Sequence, residues 1–207
     1  MTVVAGYIRM LLKERAGPLS EDQRKLLQEA EKSCGRLSAL VAEMSDLANL
    51  EAGTTPIAKA PVDVHALLTE AIAALPEATD RPVRVELIGN SGSATLAGDA
   101  TRLRNAFTAI ASCLRRELVT SDVILVKHWI KTSGDGATCV IAIADDEGLA
   151  KIEAAAPTDL GLFDEWRGGC GLSLAIARRT ISAHGGSIWS PADGSKVAAV
   201  VHLPLAG

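Results

Sequence analysis

The stretch Gly169-Cys170-Gly171-Leu172-Ser173 runs into an apolar-periodic segment from Leu174 to Ala183 and then into His184-Gly185-Gly186. Glycines that open a helix let backbone N–H groups approach a phosphate, and the helix N-terminus favours its negative charge. The same glycines serve equally well as turn punctuation, so a phosphate site needs support from elsewhere in the chain. Other groups with chemical capacity are scattered. The cysteines at 34, 113, 139 and 170 form no CxxC pair, so neither a disulfide framework nor a zinc site is implied. The four histidines also fall apart: His65 follows a linker-like stretch, His128 and His202 lie on predicted strands, and His184 sits where a helix ends. Each reads as structural, with His184 placed to cap its helix against the macrodipole.

Bulk properties narrow the partners. A net charge of −4 and the lack of any Lys/Arg run argue against nucleic acid. No apolar stretch has the length of a membrane helix, so no membrane contact is expected, and reduced thiols suit a cytoplasmic protein. With three Trp, two Phe and one Tyr, the core must be built from Ala, Leu, Val and Ile.

The elements that must position these residues change character along the chain. Val4, Ile8, Leu11 and Leu12 share a helical face, and Gly17-Pro18 stops that helix. Ser20-Glu21-Asp22-Gln23 has capping-box spacing, and the helix it opens runs to Ala52-Gly53. Within it Leu27, Cys34, Val41 and Ala48 recur every seven residues, with Ala30, Leu37 and Met44 three positions on: an a/d seam over about three heptads. Leu26, Leu40 and Leu47 widen the stripe, so the helix wants partners on two sides, as in a four-helix bundle. A homodimer of two hairpins would complete it; packing on the C-terminal part of the same chain is the alternative.

Thr54 to Pro61 reads as a linker, and Asp63 can cap a short helix to Leu75. Beyond it the period shortens. Strands are predicted at Val83 to Leu87, Thr95 to Ala97, Val123 to Lys131, Ala137 to Ala144, Ser187 to Ser190 and Val197 to Leu203. Asp99 opens a helix to about Arg116, and Ser133-Gly134-Asp135-Gly136 is a hairpin turn. The result is an α/β sandwich of mixed order.

In this order the chain resembles the core of a sensor histidine kinase. Thr2-Val3-Val4-Ala5-Gly6-Tyr7, Gly17-Pro18-Leu19-Ser20-Glu21-Asp22-Gln23, Leu47-Ala48-Asn49-Leu50-Glu51-Ala52-Gly53 and Pro61-Val62-Asp63 are in the style of that family's dimerisation and phosphotransfer hairpin. The remainder is similar to its ATP-binding domain, a fold shared with the GHKL ATPases. The fold class implied is α+β: an antiparallel helical hairpin, residues 1–53, forming a four-helix bundle in a dimer; a linker and connecting helix, 54–79; and an α/β sandwich of the histidine-kinase ATPase type, 80–207.

The resemblance also implies where function departs from the family. The phosphoacceptor histidine would align a few residues before Met1, outside this sequence. On the helix after Asp99 the family has two asparagines where this chain has Ala109 and Cys113, and the second normally holds magnesium. Magnesium wants oxygen ligands, and cysteine offers soft sulfur. Asn105 lies a turn earlier and reads as a surface residue, and Arg116 falls where the family often has a phosphate-contacting base. Asp146-Glu147-Gly148-Leu149-Ala150 resembles the adenine-binding box, with Asp146 and Gly148 matching and Ala150 replacing a glycine. Leu162-Phe163-Asp164-Glu165-Trp166 resembles the phenylalanine box; only Arg167 and Gly168 then precede Gly169, so the lid over the phosphates is essentially missing, and Ser173 replaces a further glycine. A vestigial nucleotide site at Asp146, Gly148, Gly169 and Gly171 is the expectation, with no catalytic residue, no metal and no cofactor beyond weak ATP or ADP.

Two functions follow from the resemblance. One is a homodimeric adaptor, pseudokinase or phosphotransfer scaffold that docks response-regulator receiver domains. The alternative is an ATP-dependent sensor histidine kinase whose phosphoacceptor segment lies upstream. A GHKL serine kinase or other ATPase of that fold fits less well, because it carries no such hairpin.

Overall fold

A computed structural model describes residues 2–77, 81–89, 94–133, 136–154, 159–192 and 197–205. They fall into two compact units, Met1–Ala48 and Asn49–Gly207.

The first unit is a helical hairpin. Helix α1 (Thr2–Leu12) ends in a turn where Glu14 and Gly17 take left-handed backbone, φ 55° and 122°. Helix α2 (Glu21–Glu51) then starts on a complete capping box: the Gln23 N–H donates to Ser20 Oγ at 3.2 Å, and the Ser20 N–H donates to Gln23 Oε1 at 2.9 Å. Satisfying these otherwise orphaned donors stabilises the helix start by about 1 kcal/mol. Arg9 pairs with Glu31 at 3.1 Å and Arg24 with Glu14 at 2.6 Å, so α2 runs back along α1. Both pairs are exposed and weak. The N-terminal seam residues Leu27, Ala30 and Cys34 are partly buried, while Leu37, Val41 and Met44 stay open in the single chain, exposed by 53, 60 and 59 %. Val3, Val4, Tyr7 and Met10 on α1 are exposed as well.

In the second unit Asp63 caps helix α3 (Val64–Ala73), its Oδ1 accepting from the Ala66 N–H at 2.7 Å. The segment expected as linker through Pro61 ends in a strand instead. Strand β1 (Ala60–Asp63) pairs antiparallel with β3 (Thr95–Gly98), because this register sets Val62 opposite Leu96 and buries both. A six-stranded mixed sheet follows the order β2-β4-β5-β8-β7-β6. Its strands are β2 (Arg84–Ile88), β4 (Val123–Ser133), β5 (Gly136–Ala144), β6 (Leu160–Leu162), β7 (Ser187–Pro191) and β8 (Ala198–Pro204). Among the described residues only β2 and β4 pair in parallel. The β4–β5 hairpin closes on Ser133 opposite Gly136; Gly134 and Asp135 of its expected turn lie outside the described residues.

Alternation along the strands gives the sheet two apolar faces. Ile124, Val126, Cys139, Ile141, Ile143, Val201 and Leu203 pack under α3, α4 (Ala100–Glu117) and α6 (Ser173–Ala183) in the main core. Val140, Ala142, Ala144, Ala198 and Val200 face the other way and are covered by Leu149 and Ile152 of helix α5 (Asp146–Ala154). Helix α5 and strand β6 have no counterpart in the sequence reading. The only helical signal in α5 is the i, i+3 pair of buried residues, too short to establish a period.

Candidate functional site

The Gly169–Ser173 turn meets helix α4 at an open cavity of about 380 Å³. Two local features build it. Asp99 caps α4, its Oδ1 accepting from the Arg102 N–H at 3.0 Å, and His184 caps α6 at the far end. The His184 ring joins the two helices: Nδ1 lies 2.7 Å from the Thr180 carbonyl, and Nε2 accepts the Asp99 N–H at 2.9 Å. The ring thus bridges the end of α6 and the start of α4 through hydrogen bonds.

The cavity wall carries Asn105, Thr108, Ala109, Ser112 and Arg116 from one face of α4, with Cys170 and Ser173 from the turn that opens α6. The single proton of the Thr108 hydroxyl is shared between two carbonyls, Ala71 at 3.0 Å and Arg104 at 2.9 Å, and Ser173 Oγ donates to the Cys170 carbonyl at 2.7 Å. The Asn105 carboxamide, the Arg116 guanidinium, the Ser112 hydroxyl and the Cys170 thiol remain, and among the described residues no carboxylate lines the wall. For a magnesium ion, which takes carboxylate, carbonyl and water oxygens, this wall offers the single carboxamide oxygen of Asn105, beside the positive charge of Arg116. No cluster of three or more His, Cys, Asp or Glu residues suited to a metal occurs among the described residues.

Cys113 is absent from that wall. It is buried, 1 % exposed, and its Sγ lies 3.7 Å from the Arg167 carbonyl on the turn beside α4. Burial first, then the neighbouring Cys170 thiol and the Glu117 charge, push its pKa up, against a smaller opposing effect of Arg167.

The residues expected to bind nucleotide are not brought together on this wall. Gly169 and Gly171 take left-handed backbone, φ 60° and 61°, beside the lining residues Cys170 and Ser173. Asp146 and Gly148 do not line the cavity, and the helix they begin packs on the opposite face of the sheet. Asp146 is exposed in the first turn of α5. Its neighbour Asp145 is the engaged carboxylate, accepting from the Gly148 N–H at 2.8 Å and the Thr120 hydroxyl at 3.3 Å. Gly148 itself is buried, and a Cβ there would stand 2.9 Å from Asp145 Oδ1.

Sequence reasoning also missed a clamp where the lid is short. Arg167, in a single 3-10 turn (Arg167–Gly169), donates from Nε and Nη2 to Glu117 Oε2 at 2.9 and 2.5 Å. Its guanidinium lies 5.5 Å from the centre of the Phe163 ring. Glu165, 8 % exposed, holds Arg178 at 2.9 Å and Arg179 at 3.4 Å, and Arg179 reaches Glu51 at 3.0 Å. A lone Arg before three glycines within four residues carried no signal of its partner, which lies on another helix.

A helical hairpin followed by a mixed sheet with helices α3, α4 and α6 on one face is an architecture similar to that of sensor histidine kinase cores. Residues 1–53 match the His Kinase A (phospho-acceptor) domain. Among curated relatives, the circadian input-output histidine kinase CikA of Synechococcus elongatus is 24% identical over 196 residues, covering 91% of this chain and 26% of that one. The chain spans about a quarter of the length of the curated relatives it matches. Its fold is that of full-length ShkA, solved in complex with AMPPNP, with TM-score 0.67, 23% identity and coverage of 99% of this chain and 43% of that one. The histidine kinase AdeS of Acinetobacter baumannii shares it too, with TM-score 0.63, 17% identity and coverage of 100% and 95%.

Proposed function

We propose that this module has lost autonomous ATP-driven autophosphorylation and works as a homodimeric adaptor, pseudokinase or phosphotransfer scaffold for response-regulator receiver domains. The observation that carries the reading is the α4 wall. Where the family places its two asparagines the chain has Ala109, which offers no donor, and Cys113, whose sulfur turns to the Arg167 carbonyl and away from the cavity. The short Arg167–Gly169 turn, fastened to Glu117, supports it further, since a segment held by a buried ion pair cannot swing as a lid to exclude water around a γ-phosphate. Any ATP or ADP binding is weak and independent of magnesium.

The partner on the hairpin is a second copy of the chain. The seam repeats at a and d for about three heptads, its central members are exposed in the single chain, and the match to the phospho-acceptor domain covers the same residues. The receiver domain docks on the bundle so formed.

An ATP-dependent sensor kinase is the second reading, favoured by one observation: ShkA, of the same fold, was solved with the nucleotide analogue AMPPNP. Calorimetric titration of the chain with ATP and ADP, with and without Mg²⁺, separates the two. The scaffold reading expects no magnesium-dependent binding. Magnesium-dependent binding at sub-millimolar affinity overturns it and moves the kinase reading ahead.

A further inference from the structure

We infer that Cys113 and Cys170 form an oxidisable dithiol, a covalent modification site that a hydroperoxide closes to an intramolecular disulfide. The inference goes beyond the proposed function and does not depend on it.

Two cysteines far apart in sequence converge on one turn. Cys113 Sγ sits 3.7 Å from the carbonyl of Arg167, and Cys170 Sγ sits 3.5 Å from the carbonyl of Gly168, the next residue along the same 3-10 turn. Cys113 Sγ therefore lies against the same turn that carries Cys170, one carbonyl away from the carbonyl the Cys170 sulfur contacts. The backbone lets them meet because Gly168 has no side chain: at φ 66°, a Cβ there would lie 2.6 Å from Cys113 Sγ. On either side of Cys170, Gly169 and Gly171 have open space around the place of a Cβ, so the segment can move the small distance that an S–S bond of about 2.05 Å requires.

The two sulfurs divide the chemistry. Cys170 is half-exposed and lines the cavity, so a peroxide can reach it; Cys113 is buried one layer behind. The Cys170 sulfur attacks the peroxide, the O–O bond breaks, and an alcohol (water, from hydrogen peroxide) leaves with the thiol proton, giving a sulfenic acid. Cys113 Sγ then displaces the hydroxyl from Cys170: the S–S bond forms, the S–O bond breaks, and the hydroxyl departs as water with the Cys113 proton. Two electrons pass from the thiols to one peroxide. A raised pKa makes Cys113 a poor first target, and in the slower second step its advantage is position, on the turn that carries the Cys170 sulfenic acid. The other thiols are placed differently: Cys139 is buried in β5 with its pKa pushed up to about 11 by burial, and Cys34 lies on α2. The bridge would tie α4 to the turn that opens α6 and fix the cavity rim.

The test is to treat the whole chain with hydrogen peroxide, block remaining thiols with N-ethylmaleimide in denaturant, and map peptides by mass spectrometry. A linked Cys113–Cys170 peptide is expected, with two thiols lost per chain, reversal by dithiothreitol and a Tm raised by about 8 °C. Cys170→Ser, a change at a half-exposed position, should fold as the parent does and abolish both the link and the shift. Non-reducing electrophoresis separates this bridge from any intermolecular one through Cys34. Cys170 recovered as sulfinic acid while Cys113 remains alkylatable, or a link that persists in Cys170→Ser, overturns the proposal.

Discussion

Replacing Arg167 with alanine removes one partner of an enclosed ion pair that joins the Arg167–Gly169 turn to α4. The Arg167 side chain is 9 % exposed and Glu117 19 %, and both donors of the arginine converge on Glu117 Oε2. Truncation therefore leaves a largely desolvated carboxylate unpaired and also removes the packing of the guanidinium on Phe163. Breaking a buried pair from one side costs about 3 kcal/mol, equivalent to a fall of about 9 °C in Tm for a unit of this size. All three tryptophans, at 129, 166 and 189, lie in the second unit, so tryptophan fluorescence during urea unfolding reads that unit separately from the helical hairpin. The double variant Arg167→Met, Glu117→Leu should recover most of the loss, because two apolar groups of similar size need no solvation. A single variant within about 0.5 kcal/mol of the parent would refute the claim that this pair fastens the turn. A double variant no better than the single would show that packing, not charge, is at stake.

The remaining predictions concern other parts of the chain. Val41→Asp or Met44→Asp puts a charge into the proposed dimer seam; light scattering should show a dimer for the parent at tens of micromolar and a shift toward monomer for the variant, and a monomeric parent would sink the bundle argument. Gly186→Ala places a Cβ 2.4 Å from the His202 carbonyl and 2.7 Å from Leu203 Cδ2, so it should cost about 2–3 kcal/mol, with parental stability in urea as the contrary result. His128, through burial and then the nearby His65 against a weaker opposing effect of Asp63, and His202, through burial and then Lys131, both have pKa values lowered from 6.5. Below that pH the unfolded chain takes up protons that the folded chain refuses, so stability is full above about pH 6.5 and falls as pH drops, by up to about 1.4 kcal/mol per pH unit for each histidine. Urea midpoints that stay flat between pH 7.5 and pH 5 would contradict this assignment.

What was legible in the sequence follows from local rules. The Ser20 to Gln23 box, the Asp63 and Asp99 caps and the alternating strands each state their structure within a few residues, because hydrogen-bond satisfaction and face burial are short-range demands. The hydrophobic period changes from seven residues to two near Val83, whereas the two compact units divide between Ala48 and Asn49, inside the long helix. The substitutions Ala109 and Cys113 were equally plain as residue types. Their consequence was not, because nothing in the sequence says that Cys113 turns its sulfur toward Arg167 and out of the cavity.

The sequence by itself determined the two hairpin helices, the capped helices α3 and α4 and most strands of the sheet, for these depend on neighbours along the chain. Only the tertiary structure decided which groups meet. It made Asp145, and not Asp146, the engaged carboxylate at Gly148, and it sent α5 to the far face of the sheet. It joined His184 to Asp99, Arg167 to Glu117, and Cys113 to the turn carrying Cys170. These contacts connect residues from different elements, and their partners are set by how helices pack across a sheet, a geometry that no local window of sequence contains.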